Sequence, residues 1–529
     1  MILRKLINFI KFVYSQYFFD CFTLDFINSN KKIFKNIKPN VTNSKIILID
    51  LFDWKPWILI WSQIAKYFYK NGYQVKFFYF PLYKTKLSFY KITLRRLIKI
   101  YNSFYATEGI NELNFKYTKD FEDKIKKKYI EIKSKEDLSQ YVYKNLRIGD
   151  LIYATYLRTS FNPTIDFKDK YLFKIFLRAH KIYEKVEEYF NENDVYAIIP
   201  SHICYITYGI ITRIAAKNSI NIFKIFSKNR GKNLFRLIKI DPKFCIEENP
   251  YYDFKKIFSK FNDSEKKRYL TIGKENIKRR FNSTYDKNLP YMKKGSFFID
   301  KNRDYKKELK LDYNKRNIFV FPHCYIDNCY RYRNMVFTDF YEQINFILSF
   351  SENENIKFYY KPHPNELDGF QNTHGMFVNK YKNVTLINSN FSNKAIIDLK
   401  PDLCITNHGT IAHEMAYFNI PVLNTGDNPH INYNFSYTAK DKNEIAKIIE
   451  NKIDINSKLK IDKNEIYEFI FMQYYYFDNK FNKNNLILDS DYTKNNFKLY
   501  NLSEETTKNF EDYLVNFMNS EYLKNSDIS

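Results

Sequence analysis

The 529-residue sequence is poor in residues that often mark a fold or a function: it contains 11 glycines, six cysteines and three tryptophans. The cysteines are dispersed and form no CxxC pair, so no disulfide framework is recognisable. No cleavable signal segment is apparent either. Together these features favour a cytoplasmic protein, in which thiols stay reduced.

Long apolar runs are missing from the N-terminus. The first twenty residues, MILRKLINFIKFVYSQYFFD, place Lys and Arg among aromatic and aliphatic residues, and the uncharged runs between them are far too short to span a bilayer. Two alternatives fit: a first helix that packs on the N-terminal domain, or an amphipathic helix on a membrane surface. The second would make the protein peripheral at the inner face of the cytoplasmic membrane.

The charge balance is strongly basic. The chain has 85 Lys and Arg against 59 Asp and Glu, a formal charge of +26. Lys, Asn, Ile, Tyr and Phe are abundant while Gly and Ala are sparse, so part of the excess follows from an AT-rich coding bias. The remainder favours an anionic donor and an anionic membrane surface as partners. We expect no nucleic acid, because no nucleic-acid-binding module is recognisable.

The first half of the chain alternates strand and helix patterns. KIILIDL at 45–51 is rich in β-branched residues and precedes a helical stretch at 56–70 and a strand, VKFFYF, from Val75. A second unit has YAIIP at 196–200, a helical pattern, and INIFKIF from Ile220. This alternation predicts a parallel sheet that helices cover on both faces.

The pattern weakens from 228 to 315 and sharpens again from Asn317. Five short strands, NIFVFP, IKFYYKP, VTLIN, DLCIT and IPVLNTG, then alternate with helices. We therefore predict an α/β fold with two doubly wound, Rossmann-like domains that face a central cleft, with extra helices. The predicted parts are an N-terminal α/β domain at 1–227 with an amphipathic first helix, a helical interdomain region at 228–315, a C-terminal α/β domain at 316–440, and C-terminal helices at 441–529.

Histidine is concentrated in the second domain, since six of the eight lie between His323 and His430. Ligands of an open parallel sheet bind beyond the carboxyl ends of its strands, where helix N-termini present backbone N–H groups. Polar residues and glycine follow the predicted strands at these ends, namely His323, His363, Ser389, Asn407, His408 and Gly426.

The segment Asn407-His408-Gly409-Thr410 has the pattern of a phosphate-binding turn. Glycine is rare in this chain, so Gly409 directly after a strand indicates a backbone requirement and would let the chain approach a phosphate. Thr410 adds a hydroxyl beside the amides of a helix start, and Glu414 is placed to accept hydrogen bonds from ribose hydroxyls. The residues together predict a nucleotide site, although an ordinary helix cap also gives a Gly-Thr pair.

His363 is the first catalytic candidate. It lies between Pro362 and Pro364 on a turn after a strand, where its imidazole can donate to a phosphate oxygen or assist a phosphate leaving group. His323, which opens the loop HCYIDNCYRYRN, is a second candidate. For both residues a purely structural role is the alternative.

Metal binding is a rival use of the same histidines. His408 and His413 are five residues apart, unlike the i, i+4 pair of an HExxH zinc helix. We therefore predict no protein-bound metal and no tightly bound cofactor. A divalent cation bound through donor phosphates stays an open alternative.

The first domain offers residues for the acceptor side of the cleft. Its three tryptophans fall within eight residues, and Trp54 and Trp57 could stack on acceptor sugar rings, with core packing as the alternative. Asp53 beside them is a candidate general base. Arg158, at the end of GDLIYATYLR, and His202, after another strand, are further acceptor-side candidates.

Four stretches carry a family resemblance: GDLIYATYLR, PHCYIDNCYRYRNMVFTDFYEQI, YYKPHPNEL and CITNHGTIAHEMAYFNIPVLNTGDNPH. They resemble the capsular polysaccharide biosynthesis family, relatives of the glycosyltransferases with the two-domain GT-B fold. Dense similarity is confined to 317–430. The His-Pro turn is also similar to that of bacterial sialyl- and Kdo-transferases, which use cytidine monophosphate donors, but the chain has no clear acidic-acidic-Gly base motif of the sialyltransferase kind.

The resemblance implies a glycosyltransferase that moves a sugar from a CMP-, UDP- or GDP-linked donor to a growing bacterial capsular or other surface glycan, free or lipid-linked. The C-terminal domain would then bind the donor and the N-terminal domain the acceptor. The donor contacts it implies are His363 on the phosphate, His408, Gly409 and Thr410 as the phosphate cradle, and Glu414 on the ribose. Transfer of a phosphate-containing group from a CDP donor, a sugar epimerase and a non-enzymatic capsule assembly factor are the alternatives.

Overall fold

The structure is a computed structural model. It describes residues 21–39, 44–53, 55–82, 87–229, 233–242, 253–282, 297, 303–309, 311–330, 332, 334–366, 368–476, 486–488 and 504–519. The predicted amphipathic helix in the first twenty residues and the candidate Trp54 lie outside these residues.

Fifteen strands are present in the described residues. They are β1 (Ile46–Asp50), β2 (Gln74–Tyr79), β3 (Thr107–Asn111), β4 (Val142–Tyr143), β5 (Leu146–Arg147), β6 (Val195–Ile199), β7 (Asn221–Asn229), β8 (Asn233–Lys239), β9 (Arg316–Phe321), β10 (Ile356–Tyr360), β11 (Val384–Leu386), β12 (Leu403–Thr406), β13 (Val422–Asn424), β14 (Tyr437–Thr438) and β15 (Leu486–Leu488).

The α-helices of the described residues lie between and beyond these strands. They are Cys21–Asn36, Lys55–Lys70, Leu87–Asn102, Lys119–Ile130, Lys135–Gln140, Gly149–Ser160, Lys170–Glu192, Ile210–Lys217, Phe254–Ser259, Asp263–Phe281, Tyr305–Leu309, Phe340–Ser349, Gln371–Lys380, Asn393–Asp398, Ile411–Ala416, Lys442–Ile449, Lys463–Tyr474 and Glu504–Asn519.

The first sheet has seven strands in the order β15-β8-β7-β6-β1-β2-β3. Strands β3, β2, β1, β6 and β7 are parallel, whereas β8 and β15 add antiparallel pairs at one edge. All five residues of β1 are buried, because helices cover both faces of a parallel sheet and its central strands therefore read as continuous apolar runs. The predicted strand-helix-strand opening of the chain is confirmed. Gly72, which has a φ of 85°, lies in the turn that follows the helix.

The second sheet has six strands in the order β11-β10-β9-β12-β13-β14, and every pair is parallel. The strands β10, β9 and β12 are neighbours, although β9 and β12 are not consecutive in the chain. Their carboxyl ends therefore meet at one place on the sheet edge. The predicted fold class, an α/β protein with two Rossmann-like parallel sheets, is confirmed.

The segments outside the two sheets divide between the domains. The helix Asp263–Phe281, from the predicted interdomain region, packs with Phe254–Ser259 and Lys463–Tyr474 in one apolar cluster. The last described helix, Glu504–Asn519, instead packs on Lys55–Lys70 and buries Phe510 within the core of the first domain. The chain thus returns to its first domain after completing the second.

The helix Gly149–Ser160 joins the two domains. The Arg213 guanidinium donates to both carboxylate oxygens of Asp150, at 2.6 Å each, and the two side chains are almost fully buried. From the same helix the Tyr153 hydroxyl donates to Asp339, a residue of the second domain. Arg158, near the helix end, lies 3.9 Å from the Asp327 carboxylate, also in the second domain.

Gly149, one of the rare glycines, is required by close packing. A Cβ atom at this position would lie 1.9 Å from the Leu138 carbonyl oxygen and 2.6 Å from the Tyr141 nitrogen. The helix can therefore begin against this backbone only where no side chain intervenes. Among the described residues, none of the helices combines the length and apolar character needed to cross a membrane.

Replacing Arg213 with Met tests how far the fold depends on this ion pair. The Asp150 carboxylate would remain buried without its partner, so we expect the free energy of unfolding in urea to fall by roughly 3–5 kcal/mol. The half-exposed surface pair of Lys185 and Glu188 provides the control, and Lys185→Met should change stability by less than about 1 kcal/mol. Equal effects of the two substitutions would contradict the anchoring role of Arg213.

Candidate functional site

A cleft of about 460 Å³ lies between the two sheets, beyond the carboxyl ends of their strands. Its walls come from both domains, as predicted. From the first domain it is lined by Asp50, Leu51, Phe52, Asp53, Phe78, Tyr79, Phe80, Pro81, Leu82, Leu97, Arg158, His202, Tyr205 and Tyr208, and from the second by His323, Asp327, Asn328 and His408.

Three histidines form a row in the second domain. His363, His323 and His408 follow β10, β9 and β12, which are adjacent in the sheet. The ring of His323 lies 5.5 Å from that of His363 and 4.2 Å from that of His408, measured between centroids. The predicted convergence of these residues is therefore a property of the fold, and we call the three the histidine row.

His323 occupies the middle of the histidine row. Its Nδ1 lies 3.0 Å from a carboxylate oxygen of Asp327, and its ring stacks on Phe340 with centroids 5.1 Å apart. Asp327 also lies 3.9 Å from Arg158 of the first domain. His323 is therefore connected through Asp327 to the opposite side of the cleft.

His363 is held as a neutral imidazole. Burial lowers its pKa to about 4, and the neighbouring His323 adds to the effect. Its Nδ1 accepts a hydrogen bond from the Asn365 amide at 3.2 Å and lies 3.1 Å from the Cys324 thiol. With Nδ1 acting as an acceptor, the ring proton resides on Nε2. His363 can therefore donate a hydrogen bond near neutral pH without carrying a charge.

The Asn407–Thr410 segment follows β12 as predicted, but its helix is short and runs only from Ile411 to Ala416. Gly409 is needed for packing, since a Cβ atom there would lie 2.8 Å from the Thr406 hydroxyl oxygen. Asn407 is buried, and its side-chain oxygen accepts no hydrogen bond among the described residues. The segment thus has the tight turn that was predicted, with a weaker helix dipole than a long helix would supply.

Glu414 lies in the protein interior. Its carboxylate forms an ion pair with Arg280 and accepts a hydrogen bond from the Asn393 side-chain amide at 3.2 Å. Arg280 also donates to the Thr410 hydroxyl at 3.3 Å. The predicted ribose contact of Glu414 stays a prediction, because the structure shows this side chain fully buried and bound to protein groups.

Arg280 is a residue that the sequence reasoning missed. It lies at the end of the helix Asp263–Phe281, where the adjacent residues Lys278 and Arg279 are basic as well. No sequence signal distinguishes it from the many other Lys and Arg residues. Only the packing of this helix on the second domain shows that Arg280 supports the Asn407–Thr410 segment.

Lys361 links the His-Pro turn to the same network. Its ammonium group donates to the Phe391 carbonyl at 2.7 Å and to the Asn393 side-chain oxygen at 2.5 Å. Burial lowers the pKa of Lys361 to about 8, an effect that Glu414 opposes. The turn that carries His363 and the segment that carries His408 are therefore fixed by shared hydrogen bonds.

Of the predicted donor-side residues only His408 lines the cleft as the described residues define it, and the catalytic candidate His363 and the donor-side candidates Ser389, Asn407, Gly409, Thr410, Glu414 and Gly426 are not among its lining residues. Ser389 follows the edge strand β11. Gly426 packs against another part of the chain, since a Cβ atom there would lie 3.1 Å from the Asn334 carbonyl oxygen and 3.2 Å from the Met335 Cα. This close approach accounts for the glycine, and donor contacts of both residues stay predictions.

The remaining histidines of the second domain belong to its core. His374 is buried and its Nδ1 lies 2.8 Å from the Tyr360 hydroxyl. His413 and His430 are buried against Phe469. Among the described residues no group of three His, Cys, Asp or Glu side chains is arranged to hold a metal ion.

Asp50 is the buried carboxylate of the first-domain wall, and the sequence reasoning did not select it. It ends β1, and its Oδ2 accepts hydrogen bonds from the Ser201 amide at 3.1 Å and from the Ser201 hydroxyl. Burial raises its pKa to about 7, and the hydrogen bonds from Ser201 oppose this rise. Asp53, the predicted base, lines the same wall but is exposed to solvent.

The aromatic side chains of this wall differ from those predicted. Trp57 is 5% exposed and packs on Trp61 and His202, so it lies behind the wall as a core residue. His202 itself lines the cleft, together with the unpredicted Phe52 and Tyr208. The helical pattern after β6 gave no sign of Tyr208, because this residue lies in a single π-helical turn, Tyr205–Gly209.

Comparisons with known proteins give only distant likenesses. No family model matches the chain, and neither does any curated protein. UDP-GlcNAc 2-epimerase from Neisseria meningitidis, bound to UDP-GlcNAc, is 10% identical over 82% of this chain and 100% of its own, with a TM-score of 0.26. The β-Kdo 2,4 transferase of KpsC from Thermosulfurimonas dismutans is 12% identical over 52% of this chain and 79% of its own, with a TM-score of 0.32. Likenesses this weak carry no argument about activity.

Replacing Glu414 with Gln separates a structural role from a ribose contact. Because Arg280 would lose its buried partner, we expect the free energy of unfolding to fall by roughly 3–5 kcal/mol. The exposed Glu354→Gln should change it by less than about 0.5 kcal/mol. Unchanged stability together with weaker nucleotide binding would contradict the structural role and support the ribose contact.

Proposed function

We propose that the protein is a glycosyltransferase of the GT-B type. It would move a sugar from a CMP-, UDP- or GDP-linked donor to a growing bacterial capsular or other surface glycan. The observation that carries the proposal is the pairing of two unlike walls across one cleft: His323 and His408 from the second sheet and the carboxylates Asp50 and Asp53 from the first.

The second-domain wall suits the phosphate part of a donor. His323 and His408 line this wall, and His363, whose ring lies 5.5 Å from that of His323, adds a neutral N–H donor beside it. Such fixed donors stabilise the charge that develops on a departing phosphate, because they need no reorganisation during the reaction. Lys361, held behind this wall, adds positive charge, whereas the charge of Arg280 is balanced by Glu414.

The first-domain wall suits a sugar acceptor. Phe52, His202 and Tyr208 offer ring faces and polar edges at the cleft surface, which is the combination that carbohydrate rings need because they have both apolar faces and hydroxyl groups. A carboxylate in the same wall can accept a hydroxyl proton. Donor and acceptor would therefore meet between the two domains with the reacting atoms aligned.

Location and cation use belong to the same proposal. Work on a surface glycan precursor would place the protein in the cytoplasm, peripheral to the inner face of the membrane, and the basic charge of the chain favours an anionic surface there.

A divalent cation, if one takes part, would enter with the donor phosphates. Turnover of the donor with and without EDTA tests this directly.

Nucleotide binding is the first measurement. We expect one of CMP, CDP, UDP and GDP to raise the unfolding temperature, because a ligand at 100 times its Kd stabilises the folded state by about 2.7 kcal/mol. The nucleotide that acts identifies the donor class. Stabilisation by none of them would contradict the proposal and favour a non-enzymatic assembly factor.

His363 provides a sharper test with two similar substitutions. Gln places a donor nitrogen near the position of Nε2, whereas Asn reaches only as far as Nδ1. We expect His363→Asn to lower kcat/KM for donor turnover about 100-fold, and His363→Gln to retain much more of the activity. Equal losses would show that the Nε2 proton has no special role. Since the pKa of His363 is about 4, this difference should not change between pH 6 and 9.

A further inference from the structure

Asp50 is fixed at the end of the central strand of the first sheet. The Tyr101 hydroxyl donates to its carbonyl oxygen at 3.1 Å, and the Phe52 amide donates to the same hydroxyl at 3.1 Å. The side chain is 2% exposed yet lines the cleft. Its position is therefore set by the backbone on both sides of it.

The two carboxylate oxygens of Asp50 have different surroundings. Oδ2 accepts both hydrogen bonds from Ser201, and the Ser201 hydroxyl oxygen lies 3.0 Å from Nδ1 of His202. The single hydroxyl proton of Ser201 points to the carboxylate, so His202 must donate from Nδ1. Oδ1, by contrast, accepts no hydrogen bond among the described residues. A buried acceptor without a partner calls for an explanation, and a catalytic role is one that its place beside the cleft supports.

The loop that follows Ser201 shows a second unusual feature. Tyr205 has a φ of 61°, in the left-handed region that a tyrosine rarely adopts, and it begins the π-helical turn Tyr205–Gly209. Strained residues and π-helical turns are frequent at functional sites, where surrounding packing maintains them. Tyr205 and Tyr208 both line the cleft near Asp50.

We propose that Asp50, and not Asp53, is the general base that takes the proton from the acceptor hydroxyl, with Ser201 and His202 as positioning residues. The inference rests on the proposed glycosyl transfer. Asp53 is exposed to solvent, so water competes for its carboxylate, whereas the buried Asp50 presents one unoccupied oxygen in a fixed place.

The step balances without any further reactant. The acceptor O–H bond breaks and its proton goes to Oδ1 of Asp50, while the acceptor oxygen forms a bond to the anomeric carbon. The bond between that carbon and the donor phosphate oxygen breaks, and the phosphate leaves with the electron pair. Asp50 then returns its proton to water. With water in place of the glycan acceptor, the same step gives hydrolysis of the donor.

The protonation behaviour of Asp50 agrees with this role. Burial raises its pKa to about 7 and the Ser201 hydrogen bonds oppose the rise. A general base works best when its pKa lies close to the working pH. The base is active when ionised, so turnover should rise as the pH increases through about 7 and then level off.

The experiment measures nucleotide release from the CMP-, UDP- or GDP-linked sugar whose nucleotide binds, with water as the acceptor. Asp50→Asn keeps the hydrogen-bond acceptor for the Ser201 amide. We expect its kcat to fall at least 100-fold, its nucleotide affinity to stay within about twofold, and the rise of rate near pH 7 to disappear. Asp53→Asn should lower kcat far less, and the exposed Asp123→Asn should leave it unchanged.

Ser201→Ala distinguishes a positioning role of Ser201 from a merely structural one. Removing the hydroxyl donor destabilises the Asp50 carboxylate, so the pH-dependent rise of the rate should move to higher pH. This readout, and the wild-type pH profile itself, still test the proposal if Asp50→Asn does not fold.

Three outcomes would overturn the assignment of Asp50: near-normal turnover by folded Asp50→Asn, a larger loss with Asp53→Asn, or a wild-type rate with no ionisation near pH 7. If the wild-type protein binds a nucleotide and releases it from the sugar, these outcomes reject Asp50 alone. If it neither binds nor turns over any of these donors, the glycosyl transfer and the role of Asp50 both fall.

Discussion

The ion pair between Asp150 and Arg213 is the contact on which the relation of the two sheets depends. It fixes the helix Gly149–Ser160 inside the first domain, and that helix then carries Tyr153 to Asp339 of the second domain. Burying two charges costs hydration free energy, and their attraction recovers this cost only when the hydrogen-bond geometry is good. The bidentate pair of Asp150 and Arg213 has such a geometry. The helix therefore holds the two domains together along with the contacts of Thr164 with Asp339 and of Lys135 with Glu342.

Burial has a second consequence, since it changes the protonation of groups in and beside the cleft. Removing a group from water disfavours its charged form, which lowers the pKa of His363 to about 4 and raises that of Asp50 to about 7. The same physical cause therefore gives a neutral donor beside the second-domain wall and, in the first-domain wall, a carboxylate that can gain or lose a proton near neutral pH. If the same residue types were exposed to solvent, their pKa values would stay close to those in water.

The sequence predicted those features that depend on local pattern. Apolar β-branched runs located the strands, and the order of the central strands then brought the three histidines together without further assumption. The stretch GDLIYATYLR carries the family resemblance and begins at Gly149, but only the structure shows the Leu138 carbonyl that requires glycine there. Contacts between distant segments left no such signal. Arg280 is one basic residue among many, and the return of the helix Glu504–Asn519 to the first domain depends on packing that no periodicity encodes.

Asp50 and Asp53 illustrate the same limit, because Asp50 ends β1 and Asp53 lies three residues further, and burial is what distinguishes the two carboxylates. The distinction has an energetic side. A carboxyl group whose pKa is raised by folding contributes stability that is present below its unfolded pKa, near 4, and that is lost as the pH rises through about 7. Near neutral pH the burial of Asp50 therefore lowers the free energy of unfolding. An asparagine could accept the same hydrogen bond from the Ser201 amide without that cost, so the presence of an aspartate here agrees with a role in the chemistry of the cleft.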